Sequence, residues 1–174
     1  LLFFTIFSVA LENRVGTVGS VSFVVFLAPG LIMMSILQNS FQNSASSLLV
    51  SKIQGNIVDV LMPPISSVEM VCAYIAGGIT RGVLVGLATT SAMFVLGDLP
   101  VHNFAGILFF AVSASTMLAL LGMMGGIWAE KFDHMAALTN FVIVPLSFLS
   151  GTFYSIKRLP ETWQFFAKFN PFFY

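Results

Sequence analysis

Val68–Leu96 reads VEMVCAYIAGGITRGVLVGLATTSAMFVL. Apart from Glu69 at its edge, a single charge, Arg81, interrupts a run of apolar and small residues. At 1.5 Å per residue, a helix over this stretch exceeds the ~30 Å of hydrocarbon in a bilayer. Runs of comparable character occupy Val21–Gln42, Phe104–Ala129 and Met135–Ile156. The chain carries seven basic and seven acidic residues, and all except Arg81 sit in or beside the breaks between these runs. A sequence that is 57% hydrophobic and 8% charged cannot cover the surface of a water-soluble domain of its length. The sequence therefore predicts an all-α, polytopic transmembrane helical bundle.

The remaining composition narrows function by exclusion. A formal net charge of zero gives no electrostatic basis for binding nucleic acid. The lone cysteine, Cys72, excludes an internal disulfide and a cysteine-based zinc site. His102 and His134 lie in different breaks, on opposite sides of the predicted membrane, and read as interfacial residues rather than a shared metal site. The sequence contains no phosphate loop, no H-E-x-x-H, no G-x-S-x-G and no C-x-x-C. No pair of carboxylates lies within the runs, as a proton-coupled carrier would require. No catalytic residue and no metal ligand is assigned, and the chain is not read as an enzyme.

The chain begins at Leu1. The apolar stretch Leu1–Leu11 is too short to span and reads as the outer end of a truncated helix; it has neither the basic start nor the cleavage site of a signal peptide. At the other end, Asn170–Tyr174 reads as the start of another apolar segment. The expectation is four complete spans with a partial one before them.

Three features within the spans invite a role. Gly78, Gly82 and Gly86 recur every four residues and form a smooth strip for close helix packing. Arg81 lies roughly 20 Å along its span, where a charge costs about 2.5–3.5 kcal/mol, and no acidic residue lies deep in a run to pair with it. It either lines a polar path or holds a head group, or it locks packing or snorkels to the surface. The second run, kinked at Pro29-Gly30, continues into Gln38, Asn39, Ser40, Gln42, Asn43 and Ser44. The pairs Gln38/Gln42, Asn39/Asn43 and Ser40/Ser44 stack four apart on a helix. This uncharged polar face either meets other helices or a wet cavity, or marks where the helix leaves the bilayer.

The longest internal break is 49–67. Within it, Lys52-Ile53-Gln54-Gly55-Asn56-Ile57-Val58-Asp59-Val60-Leu61-Met62 places Ile53, Ile57, Val60 and Leu61 at helical spacing, and Pro63-Pro64 ends the pattern. Such an amphipathic helix lies in the membrane interface or docks on another protein. The last stretch, 157–173, is aromatic and suits the membrane boundary. By basic residues, Arg14, Lys157, Arg158 and Lys168 share one side against Lys52 and Lys131 on the other, and the positive-inside rule places the first set in the cytoplasm.

The ordered set of a Pro-Gly-kinked span ending in a Gln/Asn/Ser stretch, an amphipathic loop closed by Pro63-Pro64-Ile65-Ser66, the glycine-rich Gly77-Gly78-Ile79-Thr80-Arg81-Gly82, a Phe132-Asp133 turn, Pro145-Leu146-Ser147-Phe148-Leu149-Ser150-Gly151-Thr152-Phe153-Tyr154-Ser155, then Leu159-Pro160 and Asn170-Pro171, resembles the permease subunits of ABC-2 type transporters over the whole chain. The resemblance implies a fragment, truncated at both ends, of a six-span permease of the bacterial inner membrane. It implies a homodimer of permeases that exports an unidentified substrate with two copies of a separate ATPase subunit, on which ATP and Mg are bound; this chain itself would hold no cofactor.

On that resemblance 49–67 is a cytoplasmic loop with a coupling helix, formed by Lys52, Ile53, Gln54, Gly55, Asn56, Ile57, Asp59, Leu61 and Met62. The segment 157–173 is then an extracytoplasmic re-entrant piece, which inverts the orientation given by the basic residues. Gln38, Asn39, Gln42, Asn43 and Arg81 are the expected lining of the translocation path. The alternatives are a channel or secondary carrier independent of any ATPase, or a structural membrane subunit.

Overall fold

The computed structural model of the chain describes residues 6, 17–18, 21–96, 103–150, 160 and 164. The partial helix expected at Leu1–Leu11 and the segment 157–173 lie outside the described residues, save Ile6, Pro160 and Gln164.

A two-residue antiparallel ladder, β1 (Thr17–Val18) with β2 (Val21–Ser22), precedes the helices. The helices are α1 (Phe23–Ile53), α2 (Ile57–Leu61), α3 (Ser67–Leu96), α4 (Phe104–Trp128), α5 (Phe132–Leu138) and α6 (Val144–Leu149), with a π-helical turn at Thr139–Ile143 between the last two. Among the described residues, four stretches are long and apolar enough to cross a membrane: Val25–Ile53, Ser67–Phe94, Phe104–Trp128 and the composite Phe132–Leu149.

α1 is the hub, packed along its length against both α3 and α4. Its buried residues come as neighbouring pairs repeated each turn: Leu27/Ala28, Ile36/Leu37, Ser40/Phe41, Ser44/Ala45 and Leu48/Leu49. Two adjacent positions per turn give a broad buried face that serves two partners. The partners present narrow stripes of small residues to it. A Cβ added to Gly78 would meet Ser44 Oγ at 2.7 Å and Ala119 Cβ at 2.8 Å; one on Gly82 would strike Ser40 Oγ and lie 3.0 Å from the Ile36 carbonyl; one on Gly86 would lie 2.6 Å from the Ile36 side chain. On α4, a Cβ on Gly122 would run into the Phe41 carbonyl, and one on Gly126 would lie 2.8 Å from that of Ala45. Since lipid tails are as apolar as side chains, close backbone approach and the dispersion contacts it allows hold such helices together.

The polar Gln/Asn/Ser stretch does not end the helix. It stays helical, and its Ser40 and Ser44 are fully buried between α1 and its neighbours. Ser40 Oγ donates to the Ile36 carbonyl at 2.9 Å, and Ser44 Oγ donates across to the Tyr74 carbonyl of α3 at 3.2 Å. Serine is thus used as a small residue whose hydroxyl the backbone can satisfy. Outward faces are apolar, with Leu84, Leu87 and Phe94 on α3 and Ile107, Phe109 and Phe110 on α4 exposed to the surroundings, as a lipid-facing surface requires.

Helix ends are fixed locally. Ser66 and Glu69 form a reciprocal capping box at the start of α3: Ser66 N donates to Glu69 Oε2 at 2.8 Å and Glu69 N to Ser66 Oγ at 3.3 Å. Asn103 Oδ1 accepts from Gly106 N at 3.0 Å to open α4. The hydrophilic turn before the last span is confined to Ala129–Lys131, because α5 already begins at Phe132. Pro145 lies in the first turn of α6. It has no N–H to give the carbonyl four residues back, Phe141, and the wider π turn takes up that mismatch.

The backbone contact at Gly122 leaves nothing flexible to move aside, whereas a Cβ on Gly77 meets only the Asn43 amide nitrogen at 3.3 Å. Gly122→Ala is therefore expected to destabilise the bundle by about 1–3 kcal/mol, and Gly77→Ala to change it by well under half of that. Denaturation of the purified variants in mixed micelles checks this; equal stability of the two would contradict the packing at α1.

Candidate functional site

Arg81 lies midway along the 30-residue α3. Its Nη1 donates to Asn43 Oδ1 on α1 at 3.4 Å. This long bond engages one of the five N–H donors of the guanidinium.

The arginine overhangs a cleft of about 310 Å³. Gln42, Ser46 and Leu49 line it from α1, Phe132, Met135 and Ala136 from α5, and Thr139 and Asn140 from the π turn. Leu49 and Met135 are buried, while Gln42, Phe132, Ala136 and Asn140 are exposed, so the site has a greasy floor and an open polar mouth. Among the described residues, no acidic one lines it. Thr139 and Asn140 open the π turn, directly after α5.

Of the five residues expected along a polar path, the fold brings three together. Gln42 and Arg81 share the cleft, and Asn43 holds Arg81. The other two are engaged elsewhere: Gln38 Nε2 donates to the buried Ser147 Oγ of α6 at 3.4 Å, and Asn39 Nδ2 donates to the Ser35 carbonyl of its own helix at 2.9 Å. Ser46 belongs to the same polar stretch of α1 but is not among the residues expected along the path, and Thr139 and Asn140 were not expected at all. The available signal was a polar Thr-Asn pair early in an apolar run, followed by Pro145.

The loop between α1 and α3 also differs from the expected single amphipathic helix over 52–62. α1 runs through Ile53, the turn Gln54–Asn56 follows, and α2 is only the five residues Ile57–Leu61. The break is at Gly55, whose φ of +79° is left-handed. Glycine tolerates that conformation and commonly ends a helix in it. The spacing of Ile53, Ile57, Val60 and Leu61 mimicked a continuous period across a turn. The loop therefore comprises residues 54–66 rather than 49–67. Lys52 and Ile53 belong to the spanning helix, while Gln54, Gly55, Asn56, Asp59, Leu61 and Met62 are exposed and Ile57 is half-buried. Val58, Leu61, Met62 and Ile65 form an outward apolar surface, with Met62 77% exposed.

Lys52 turns inward. Its Nζ donates to three carbonyls at the end of α4, those of Gly126 at 3.2 Å, Ile127 at 2.8 Å and Ala129 at 2.6 Å. A helix C-terminus carries unpaired carbonyls and a partial negative charge, and an ammonium there satisfies both. The lysine thereby joins the loop end of α1 to the loop end of α4. Next to it, His134 Nδ1 accepts from Glu130 N at 3.4 Å and its ring lies 5.4 Å from that of Trp128, so this histidine helps shape the 129–131 turn.

Lys52→Met removes charge-assisted bonds that typically contribute about 1.5–3 kcal/mol. The expected result is a stability loss of about that size, partly restored by Lys52→Arg. Unfolding of the three proteins in detergent checks it, and an unchanged Lys52→Met protein would show that the carbonyls are satisfied without the lysine.

The family described as ABC-2 type transporter matches the chain over residues 1–174. The inner membrane transport permease YadH of Escherichia coli (strain K12) is 34% identical over 173 residues, covering 99% of this chain and 68% of YadH. Nodulation protein J of Rhizobium leguminosarum bv. trifolii is 28% identical over 167 residues, covering 90% of this chain and 60% of that protein, and nodulation protein J of Rhizobium meliloti (strain 1021) is 25% identical over 171 residues, 92% and 62% of the two chains. No solved structure matches the chain.

Proposed function

The chain belongs to the ABC-2 type transporter family, and from that premise we propose that it is the permease subunit of an ATP-binding cassette exporter in a bacterial inner membrane, driven by a separate ATPase. The observation that carries the proposal is the family match over all 174 residues, joined to a loop whose apolar side chains are left exposed among the described residues. Val58, Leu61 and Met62 project from the short α2 and the residue after it, where a soluble subunit can seat them. Similarity to a protein named inner membrane transport permease supports the location. ATP and Mg belong to the ATPase in this reading, two copies of each subunit complete the exporter, and the orientation places residues 54–66 in the cytoplasm.

The fold supplies a route for force. α2 is joined to α1 by a three-residue turn, so displacement of the loop moves the hub helix directly. Lys52 ties the same point to the end of α4. Movement of α1 against the glycine contacts with α3 and α4 then alters the cleft that holds Arg81, with Gln42 and Asn43 on the moving wall.

Gly55 is a poor place to test coupling, because any other residue there meets a left-handed backbone costing about 1–2 kcal/mol. Leu61→Asp and Met62→Asp leave the spans untouched and are expected to reduce co-purification of the ATPase with the full-length permease at least tenfold, with Ile57→Asp as a third variant. Wild-type protein that captures no ATPase would favour a carrier that works alone.

Orientation has its own test. Asn56→Cys in a Cys72→Ser background is expected to react with a membrane-impermeant maleimide only after cells are opened. Labelling of intact cells would place the loop outside, as the basic residues alone suggest.

A further inference from the structure

We propose that the cleft between α1, α3 and the π turn binds the oxyanion head group of an amphiphile, with Arg81 as its principal ligand. The charge argument comes first. A guanidinium midway along a spanning helix is costly unless compensated, and among the described residues it has one long bond to a neutral amide and no carboxylate in the cleft. The other polar groups around it are the amides of Gln42 and Asn140 and the hydroxyls of Ser46 and Thr139. All four can donate hydrogen bonds and none carries negative charge, so the set complements an oxyanion rather than a cation.

The shape argument gives the rest of the ligand. Leu49, Phe132, Met135 and Ala136 make the remaining wall, and about 310 Å³ is at the lower end of sites for small organic molecules. The cleft thus accommodates a head group with the first part of an apolar chain beside it. Its depth fits that class. Asn140 lies eight residues from the start of α5, about 12 Å along the helix, on the side marked by the Lys52 contacts. A lipid-like molecule in that leaflet brings its head group within reach of a long arginine side chain. As a substrate class this rests on the permease reading above, but binding itself is measurable without the ATPase.

The test uses purified full-length protein in maltoside micelles, titrated with dodecyl phosphate, with dodecanol, and with inorganic phosphate at matched ionic strength, each followed by thermophoresis. Dodecyl phosphate is expected to bind at least tenfold more tightly than either of the other two. Arg81→Gln should weaken it about tenfold or more, and Arg81→Lys less, because lysine keeps the charge and loses the planar fork. The paired change Thr139→Val with Asn140→Leu, which leaves the arginine in place, should weaken it about threefold to tenfold and carries the test if Arg81→Gln does not fold.

Equal affinity of wild type and these variants for dodecyl phosphate would overturn the site. Inorganic phosphate binding as tightly as dodecyl phosphate would overturn the amphiphile and leave a free-anion site. Arg81-dependent binding by a protein that captures no ATPase would sink the exporter reading alone, while loss of the Arg81 dependence in a protein that still captures ATPase would sink the cleft alone.

Discussion

Everything in this bundle depends on how closely α1 can approach α3 and α4. In water, apolar side chains would drive these helices together by leaving solvent; in lipid that gain is absent, and association relies on contacts available only at short range. The sequence meets this constraint from both sides. α3 and α4 contribute glycine where the carbonyls of Ile36, Phe41 and Ala45 come near, and α1 contributes Ser40, Ser44 and Ala45 rather than larger residues. Serine at such a place is cheap, because its hydroxyl finds a carbonyl of its own or the neighbouring helix. The small residues do not act alone: Phe41 and Leu49 of α1 are fully buried with Leu37 and Leu118 in the same core, so a shift of α1 has to repack these large side chains as well.

The architecture was largely legible because lipid simplifies the reading. A spanning helix must be long, apolar and internally hydrogen-bonded, so run length and charge placement located the four spans before any packing was known. Val68–Leu96 and Phe104–Ala129 agree with α3 and α4 to within one residue at each end. The polar end of α1 stayed open on sequence, since hydropathy cannot distinguish a helix leaving the bilayer from one turning polar residues toward its neighbours, and the buried Ser40 and Ser44 agree with the second reading. The loop was misread for a related reason. Helical spacing across 53–61 is a statement about side chains, whereas Gly55 breaks the helix through its backbone, and a glycine within an apparent period gives no warning that φ is positive.

The cleft was only half visible. Gln42, Asn43 and Arg81 stood out because they are polar where polarity is expensive. Their companions Thr139 and Asn140 come from a helix almost a hundred residues away in sequence, and one chain read in order contains no record of which helices touch. Lys52 shows the opposite failure. On the family resemblance it was the first residue of the coupling helix, and nothing local distinguishes a lysine that greets a partner from one that closes the end of another helix. Ser66 and Glu69, by contrast, spell out the capping box at a spacing that could have been read directly.

These placements bear on how transport would be divided along the molecule. The loop, the Lys52 contacts and the 129–131 turn gather at one end, where hydrogen bonds to charged groups make a stiff junction between α1 and α4. The cleft lies deeper, and part of its wall is the start of a π turn that departs from regular helix geometry. Force applied at the stiff end would reach the cleft by three routes: α1, which carries Gln42, Ser46 and Leu49; α3, which follows the loop and carries Arg81; and the 129–131 turn, which leads into α5 with Phe132, Met135 and Ala136. The glycine contacts that seat α1 against α3 lie between the first two routes, so a movement of the loop would be felt by Arg81 and by the α1 wall together.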